Sequence, residues 1–461
     1  DFSCAIFDAD GRLVVNAPHV PVHLGAMGQT VRALIAARGD RLRPGQAWVT
    51  NDPYDGGSHL PDITVVEPVF DKGGTAVRAF VACRGHHVDV GGSRPGSMPP
   101  DAVHIREEGV VIPHSVLRDG AGRLRVPDLG DCRQPDEVSA DLAAQAAACA
   151  QGGRAVAQLL DSLGVDVVAA QLSHVMSASA RAVAEVLATR HGRFVGVETF
   201  DDGTRLEVRL RIREDGAKVS ILAPCHPGNL NAPTAVARAA TLYVLRCLVG
   251  TPIPLNEGVM DQVEVEVEAG GLFDPSWPRA VAGGNVETSQ RLVDALMQAL
   301  GVAAASQGTM NNLTIGTPAG AWYETIAGGS GATPERSGGS AVQVHMTNTR
   351  ATDVELLERR FPVRLERFSL RRGSGGRGQH VGGDGIVKVW RFLCPAEVAM
   401  LAGRRDAGAP GLAGGAAGAP GRDLRDIGLG WERAPKVWTA KAGDRLRVET
   451  PGGGGWGPIP D

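Results

Sequence analysis

The sequence predicts an α+β protein with mixed or antiparallel sheets, a separate helical block and a Gly-rich C-terminal tail. Three observations carry this. Short alternating apolar runs come in hairpin-like groups and not in strict strand–helix–strand repeats. Helical patterning is concentrated in one Ala/Leu/Val-rich block between Asp136 and His191. Beyond Ala402 the chain turns to Gly, Ala and Pro and ends in Pro451-Gly-Gly-Gly-Gly-Trp456-Gly457.

Four regions follow in order. Residues 1–135 read as short strands and tight turns around one amphipathic helix, Met27 to Arg38, stopped at Gly39. Residues 136–200 form a helical connector, with breaks expected at Gly152-Gly153 and Gly164 and a stop at Gly192. Residues 201–402 form a second α+β part. It opens on Leu206, Val208, Leu210 and Ile212, turns at Asp215-Gly216 and returns through Val219 and Ile221 as a β-hairpin. A helix near Thr234 to Leu248, a strand Val263 to Val267 and a helix from Gln290 to Leu300 follow, the last preceded by the capping-type residues Thr288 and Ser289. Residues 403–461 are the turn-rich tail.

At 461 residues the chain can bury a large core, so no metal or disulfide is needed merely to fold it. The formal net charge of -4, with both signs interspersed, offers no basic surface to nucleic acid or an anionic membrane. Seven scattered cysteines contain no C-x-x-C pair, which argues for reduced thiols in a cytoplasm. No apolar stretch reaches the roughly 20 residues of a membrane span. The strand-like run after Asp1 starts without Met or cap, as a fragment with its upstream part missing would.

The strongest chemical signal is Asn51-Asp-Pro-Tyr-Asp-Gly-Gly-Ser-His59-Leu-Pro-Asp62, followed by Arg84-Gly-His86-His87-Val-Asp89. Imidazole and carboxylate are the ligands that catalytic divalent ions take when a position must stay open for water or substrate. His59 and Asp62 with one of His86 or His87 make three such donors. The two adjacent histidines point to opposite faces of a strand, so only one reaches a given centre; His86 is the preferred one. Asp52, Asp89, Glu107 and Glu108 are candidates for the surrounding shell or for a general base. The loop Gly91-Gly-Ser93-Arg94-Pro-Gly-Ser97-Met-Pro99 has the free amides, hydroxyls and single Arg that cradle an anion. With Asn51 it supplies the candidate substrate-binding residues Ser93, Arg94 and Ser97. The G-x-x-x-x-G-K-[ST], H-E-x-x-H and G-x-S-x-G templates are absent. Gly373, Gly375 and Gly378 match G-x-G-x-x-G, but a strand-like run follows where a dinucleotide site needs a helix.

As a set, Asp1-Phe-Ser-Cys-Ala5, Pro21-Val-His-Leu-Gly25, the Asn51 to Asp62 run and Arg84 to Gly92 resemble the hydantoinase B/oxoprolinase family over nearly the whole chain. Gly283-Gly-Asn-Val-Glu-Thr-Ser-Gln-Arg291, Ser306 to Leu313, Tyr323 to Gly329 and His345 to Arg350 look most like the C-terminal half of ATP-dependent 5-oxoprolinases. The resemblance implies a two-part cyclic-amide hydrolase that converts 5-oxo-L-proline to L-glutamate at the expense of ATP. A hydantoinase A-type subunit or domain would bind ATP and phosphorylate the lactam, and this B-type part would complete the reaction within an oligomer. It also implies a divalent metal (Mn, Zn or Mg) held by His59, Asp62 and the His86/His87 pair, with a further Glu ligand just before Asp1. The alternatives are an N-methylhydantoinase B subunit, a metal-dependent acetone or acetophenone carboxylase subunit, and a non-catalytic scaffold.

Overall fold

The computed structural model describes residues 2–17, 19–317 and 320–460, and of Leu24 the backbone alone. Among the described residues four sheets and seven α-helices form a mixed α+β architecture. The first sheet contains β1 (Phe2–Asp8), β2 (Leu13–Asn16), β3 (Ala47–Thr50), β4 (Asp62–Phe70), β5 (Val77–His86) and β6 (Ser115–Arg118). Its strands run antiparallel in the order β2-β1-β5-β4-β3-β6.

Both faces of this sheet are covered, and strand alternation decides what goes where. Val66, Phe80 and Ala82 pack on the side of α1 (Pro21–Arg38) with Met27, Val31 and Leu34. Ile63, Val65 and Cys83 pack on the other side, under Leu142, Ala146 and Cys149 of α3 (Pro135–Leu163). The short α2 (Ile105–Glu108) precedes β6.

Helix α1 starts six residues earlier than its amphipathic stretch suggests, with Pro21 at the first helical position, where a missing N–H costs nothing. Gly25 and Gly28 blur the pattern there. Gly25 is needed for contact: a Cβ on it would lie 2.4 Å from the Cα of Ala239 in α5 (Thr234–Leu248). The expected break at Gly152-Gly153 does not occur, and α3 runs through both. Gly152 lets the helix sit against the sheet, since a Cβ there would come within 2.9 Å of Val81. Gly164 does separate α3 from α4 (Val165–Ala188). Among the described residues no single helix is long and apolar enough to cross a membrane.

The second sheet holds β7 (Gly192–Thr199), β8 (Arg205–Arg213), β9 (Gly216–Leu222) and β10 (Val263–Val267), with β10 parallel to β9 and the rest antiparallel. The hairpin turn is Glu214-Asp215, one residue before the expected pair, because Gly216 already pairs with Arg213. Helices α5 and α6 (Ser289–Ala299) cover this sheet and share its core. Neither Thr288 nor Ser289 caps α6. The chain is already wound in a π-helical turn, Gly284–Thr288, and the two hydroxyls donate to the carbonyls of Leu230 and Asn285.

The third sheet joins β11 (Asn312–Thr317), β12 (Gly320–Thr325), β15 (Ala396–Leu401) and β18 (Val437–Ala440). The fourth joins β13 (Val363–Arg371), β14 (Gly385–Phe392), β16 (Arg422–Asp426), β17 (Trp431–Arg433) and β19 (Arg445–Glu449), with α7 (Val354–Arg360) beside it. The Gly-rich stretch after Ala402 therefore carries four strands, β16 to β19, which its glycine content concealed. Its last glycines are buried where backbone meets backbone: a Cβ on Gly453 would lie 2.0 Å from the carbonyl oxygen of Ser330.

That close approach sets an expectation. Gly453→Ala should cost at least about 2 kcal/mol through overpacking. Gly250→Ala, with no atom within 4 Å of the added Cβ, should stay within about 0.5 kcal/mol. Denaturant unfolding of the two variants checks the contrast.

Candidate metal centre

Asp62 opens β4 and stands directly opposite His86, the last residue of β5. The two face the α1 side of the sheet, and the turn before β4 folds His59 back over them, with Asp62 N–H donating to the His59 carbonyl at 3.0 Å. One ligand atom from each of His59, Asp62 and His86 lies within 4.8 Å of the others. His59 and Asp62 are fully buried.

The surroundings hold this cluster in place. Ser58 Oγ donates to Asp62 Oδ2 at 2.6 Å. Fully buried Arg84 donates to Ser58, to Thr64 of β4 and to Thr30 of α1. His23, on the first turn of α1, brings Nε2 to 3.0 Å from Asp62 Oδ1, and its Nδ1 lies 3.1 Å from Ser3 Oγ. The ring of Tyr323 from β12 stacks on His86, with centroids 4.7 Å apart and planes at 15°.

Proximity here is not hydrogen bonding. His59 Nε2 lies 3.2 Å from Asp62 Oδ2, yet both ring nitrogens of His59, Asp62 Oδ1 and His86 Nε2 lack a well-aligned hydrogen-bond partner among the described residues. Buried polar atoms are rarely left so, and three donors of this type aimed at one small volume fit a divalent ion. The protonation states suit that role. Burial alone would push the Asp62 carboxyl up, but the imidazoles of His23 and His59 outweigh it and hold the group well below the usual carboxylate range. Burial, helped by the charge of His59, pushes His86 well below its ordinary value, so its nitrogen is kept as a neutral lone pair.

Of the residues singled out in the sequence, His59, Asp62 and His86 come together. His87 turns to the opposite face, where Nε2 meets Gln145 Oε1 of α3 at 3.0 Å. Asp89 lies outside the cluster, receiving the amides of Gly91 and Gly96 and pairing with Arg133. Asp52 accepts the amide of Tyr54. Glu107 caps α2 through the amides of Val103 and His104. Glu108 is buried and accepts the amides of Val281 and Ala282. Asn51 ties the loop to Leu60, Val110 and Ile112. Ser93 Oγ donates to the Glu107 carbonyl, Ser97 Oγ bridges Val90 and Gly91, and Arg94 pairs with Asp101 and Glu397. His23 and Tyr323 were not singled out, although both stand inside the quoted stretches Pro21–Gly25 and Tyr323–Gly329.

Fold and site together define a large α+β protein with a two-histidine, one-carboxylate centre enclosed at the ends of two central strands. The chain belongs to the hydantoinase B/oxoprolinase family, whose profile matches residues 1–459. It is 45% identical over 498 residues to 5-oxoprolinase 1 of Arabidopsis thaliana, an alignment covering 99% of this chain and 39% of that protein. It thus spans about two fifths of the length of that relative. The crystal structure of an ATP-dependent caprolactamase from Pseudomonas jessenii is similar at a TM-score of 0.86 and 27% identity, covering 99% of this chain and 85% of that one. A nucleotide-free acetone carboxylase structure shares the fold at a TM-score of 0.84 and 16% identity, covering 99% and 71%.

Two outcomes follow. In metal analysis after equilibrium dialysis, His59→Ala should abolish divalent-ion binding and His23→Ala should weaken it about 10- to 100-fold, as loss of an orienting partner does. His87→Ala should retain the ion but lose about 1–3 kcal/mol of stability by stranding Gln145. The second concerns Glu108, whose carboxyl burial pushes up to about 8 from an ordinary 4.5. Between those values the folded state holds a proton that the unfolded chain has released, so stability falls as pH rises through this window. The slope is at most about 1.4 kcal/mol per pH unit from this group. Thermal unfolding from pH 5 to 8 should show the decline, and Glu108→Gln should flatten it.

Proposed function

We propose that this chain is the B-type half of an ATP-dependent cyclic-amide hydrolase acting on 5-oxo-L-proline. In this reading a hydantoinase A-type part carries the ATP site and phosphorylates the lactam oxygen. The observation that carries it is the convergence of His59, Asp62 and His86 with unpartnered donor atoms, in a chain of this family. The names of the relatives, a 5-oxoprolinase and a caprolactamase, both describe enzymes of lactams, which supports the substrate class. The acetone carboxylase likeness supports the fold alone.

The chemistry is consistent with such a division. A lactam carbonyl resists water because amide resonance is lost on attack. Phosphorylation of its oxygen removes that resistance; one water then opens the ring with cleavage of the C–N bond, and a second releases phosphate from the resulting acyl phosphate. A divalent ion at the centre would supply positive charge for the oxygen on which negative charge builds. His59, Asp62 and His86 would hold that ion. The residues around them do the positioning. Asp62 stays ionised, Ser58, itself held by Arg84, fixes its carboxylate, and Tyr323 sets the plane of the His86 ring. The described chain has no phosphate-binding G-x-x-x-x-G-K-[ST] loop, which leaves nucleotide binding to the other part.

In the complete native assembly, Asp62→Ala should lower 5-oxo-L-proline-dependent ATP consumption at least about 100-fold while thermal unfolding stays near normal. Retained turnover, or turnover lost only in proportion to lost folding, would count against a catalytic centre here.

A further inference from the structure

A second polar focus lies apart from His59, Asp62 and His86. A cavity of about 790 Å³ opens between the second sheet and the strands that follow Ala402, a size suited to a small molecule. Its inner wall is the π-helical turn Gly284–Thr288 with the start of α6 on one side, and the loop Ala402–Arg405 on the other. Single π turns inside helices recur at functional sites. Glu287 stands in that turn and Arg291 one turn later.

Both side chains are almost fully buried, at 3% and 1% exposure, and each leaves one end without a hydrogen-bond partner among the described residues, Glu287 Oε2 and Arg291 Nη2. Their other ends are held. Glu287 Oε1 accepts from Thr309 Oγ1 at 2.8 Å and Met310 N at 3.1 Å. Arg291 donates through Nε to the Gly308 carbonyl and through Nη1 to Glu198. The nearest carboxylate to Nη2, that of Asp201, is 3.8 Å away, beyond hydrogen bonding. The two free atoms do not pair with one another, yet both face the same small space: a Cβ on Gly403 would lie 3.1 Å from Glu287 Oε2 and 3.2 Å from Arg291 Nη2. A buried donor and a buried acceptor fixed side by side at the wall of a cavity are costly without a ligand that satisfies both.

We propose that this cavity binds a small molecule carrying a carboxylate next to an N–H, with Arg291 receiving the carboxylate and Glu287 the N–H beneath Gly403. The proposal rests on the cyclic-amide reading and sharpens it. 5-Oxoproline presents a ring N–H beside its carboxylate, and ring opening leaves an amine beside the same carboxylate. A lactam without the carboxylate would leave Arg291 Nη2 without a hydrogen-bond partner. The cavity wall is also in contact with the metal centre: Asn312 donates to Glu287 Oε1 and accepts from Tyr323, whose ring stacks on His86.

The test is equilibrium calorimetry on the complete native assembly without ATP, using 5-oxo-L-proline, 2-pyrrolidinone and inorganic phosphate as probes. 5-Oxo-L-proline should bind at least tenfold tighter than 2-pyrrolidinone. Gly403→Ala, which puts a methyl between the two free atoms and deletes neither, should weaken it at least tenfold with metal content and thermal unfolding unchanged. Glu287→Gln should weaken it in the same direction if the first variant folds poorly. Equal affinity for the two lactams, no effect of Gly403→Ala in a folded protein, or binding of phosphate alone would overturn the proposal. Tight 5-oxo-L-proline binding without ATP-dependent turnover would keep the cavity and remove the hydrolase reading. Turnover indifferent to Gly403→Ala would do the reverse.

Discussion

The pairing register of β4 with β5 is the constraint on which the site depends. Asp62 is placed opposite His86, and because side chains alternate along a strand, that single register sends both toward α1 while His87 goes to α3. A slip of one residue would bring His87 to the centre and carry His86 into the apolar layer under Leu142 and Ala146. The register is itself fixed by the two hydrophobic layers of the sheet, since each strand buries one apolar set on either face.

The second requirement is electrostatic. A carboxylate with no exposure, such as Asp62, is tolerated only when paired and hydrogen-bonded. Here Ser58, His23 and His59 surround it, and buried Arg84 ties the carboxylate's neighbours to both α1 and β4. The cluster is therefore assembled from the first helix, the Asn51–Asp62 loop and two strands. The glycine-rich segments act at longer range. Gly96 and Gly316, where an added Cβ would lie 2.3 Å from Thr314 and 2.6 Å from Pro95, let the loop after β5 sit against β11 of the third sheet, on whose neighbouring strand Tyr323 lies over His86.

Much of this was legible in the sequence, and the parts that were not share a reason. The His59-x-x-Asp62 turn and the split of His86 from His87 follow from local rules, a tight turn and a two-residue period. His23 did not, because Gly25 and Gly28 interrupt the apolar stripe of α1; Gly25 is there for contact with α5 and Gly28 for contact with Glu257, which no local pattern reports. Tyr323 and Glu287 lie far from His86 in the chain, and only the docking of sheets brings them near. The breaks expected at Gly152-Gly153 and the caps expected at Thr288 and Ser289 failed similarly, since tertiary packing used glycine for closeness and started α6 from a π turn. The strands after Ala402 were hidden because glycine there serves backbone packing instead of turns.

Whether an ion sits where the three donor atoms meet decides whether this cluster is a catalytic centre. Anomalous X-ray diffraction from crystals of the native assembly, recorded at and away from the metal's absorption edge, reads this directly. The expected result is one anomalous peak about 2.0 to 2.6 Å from His59, Asp62 and His86, lost in the Asp62→Ala protein. A peak bound instead at His87 on the α3 side of the sheet, or full catalytic turnover of the same protein with no peak at this position, would contradict it.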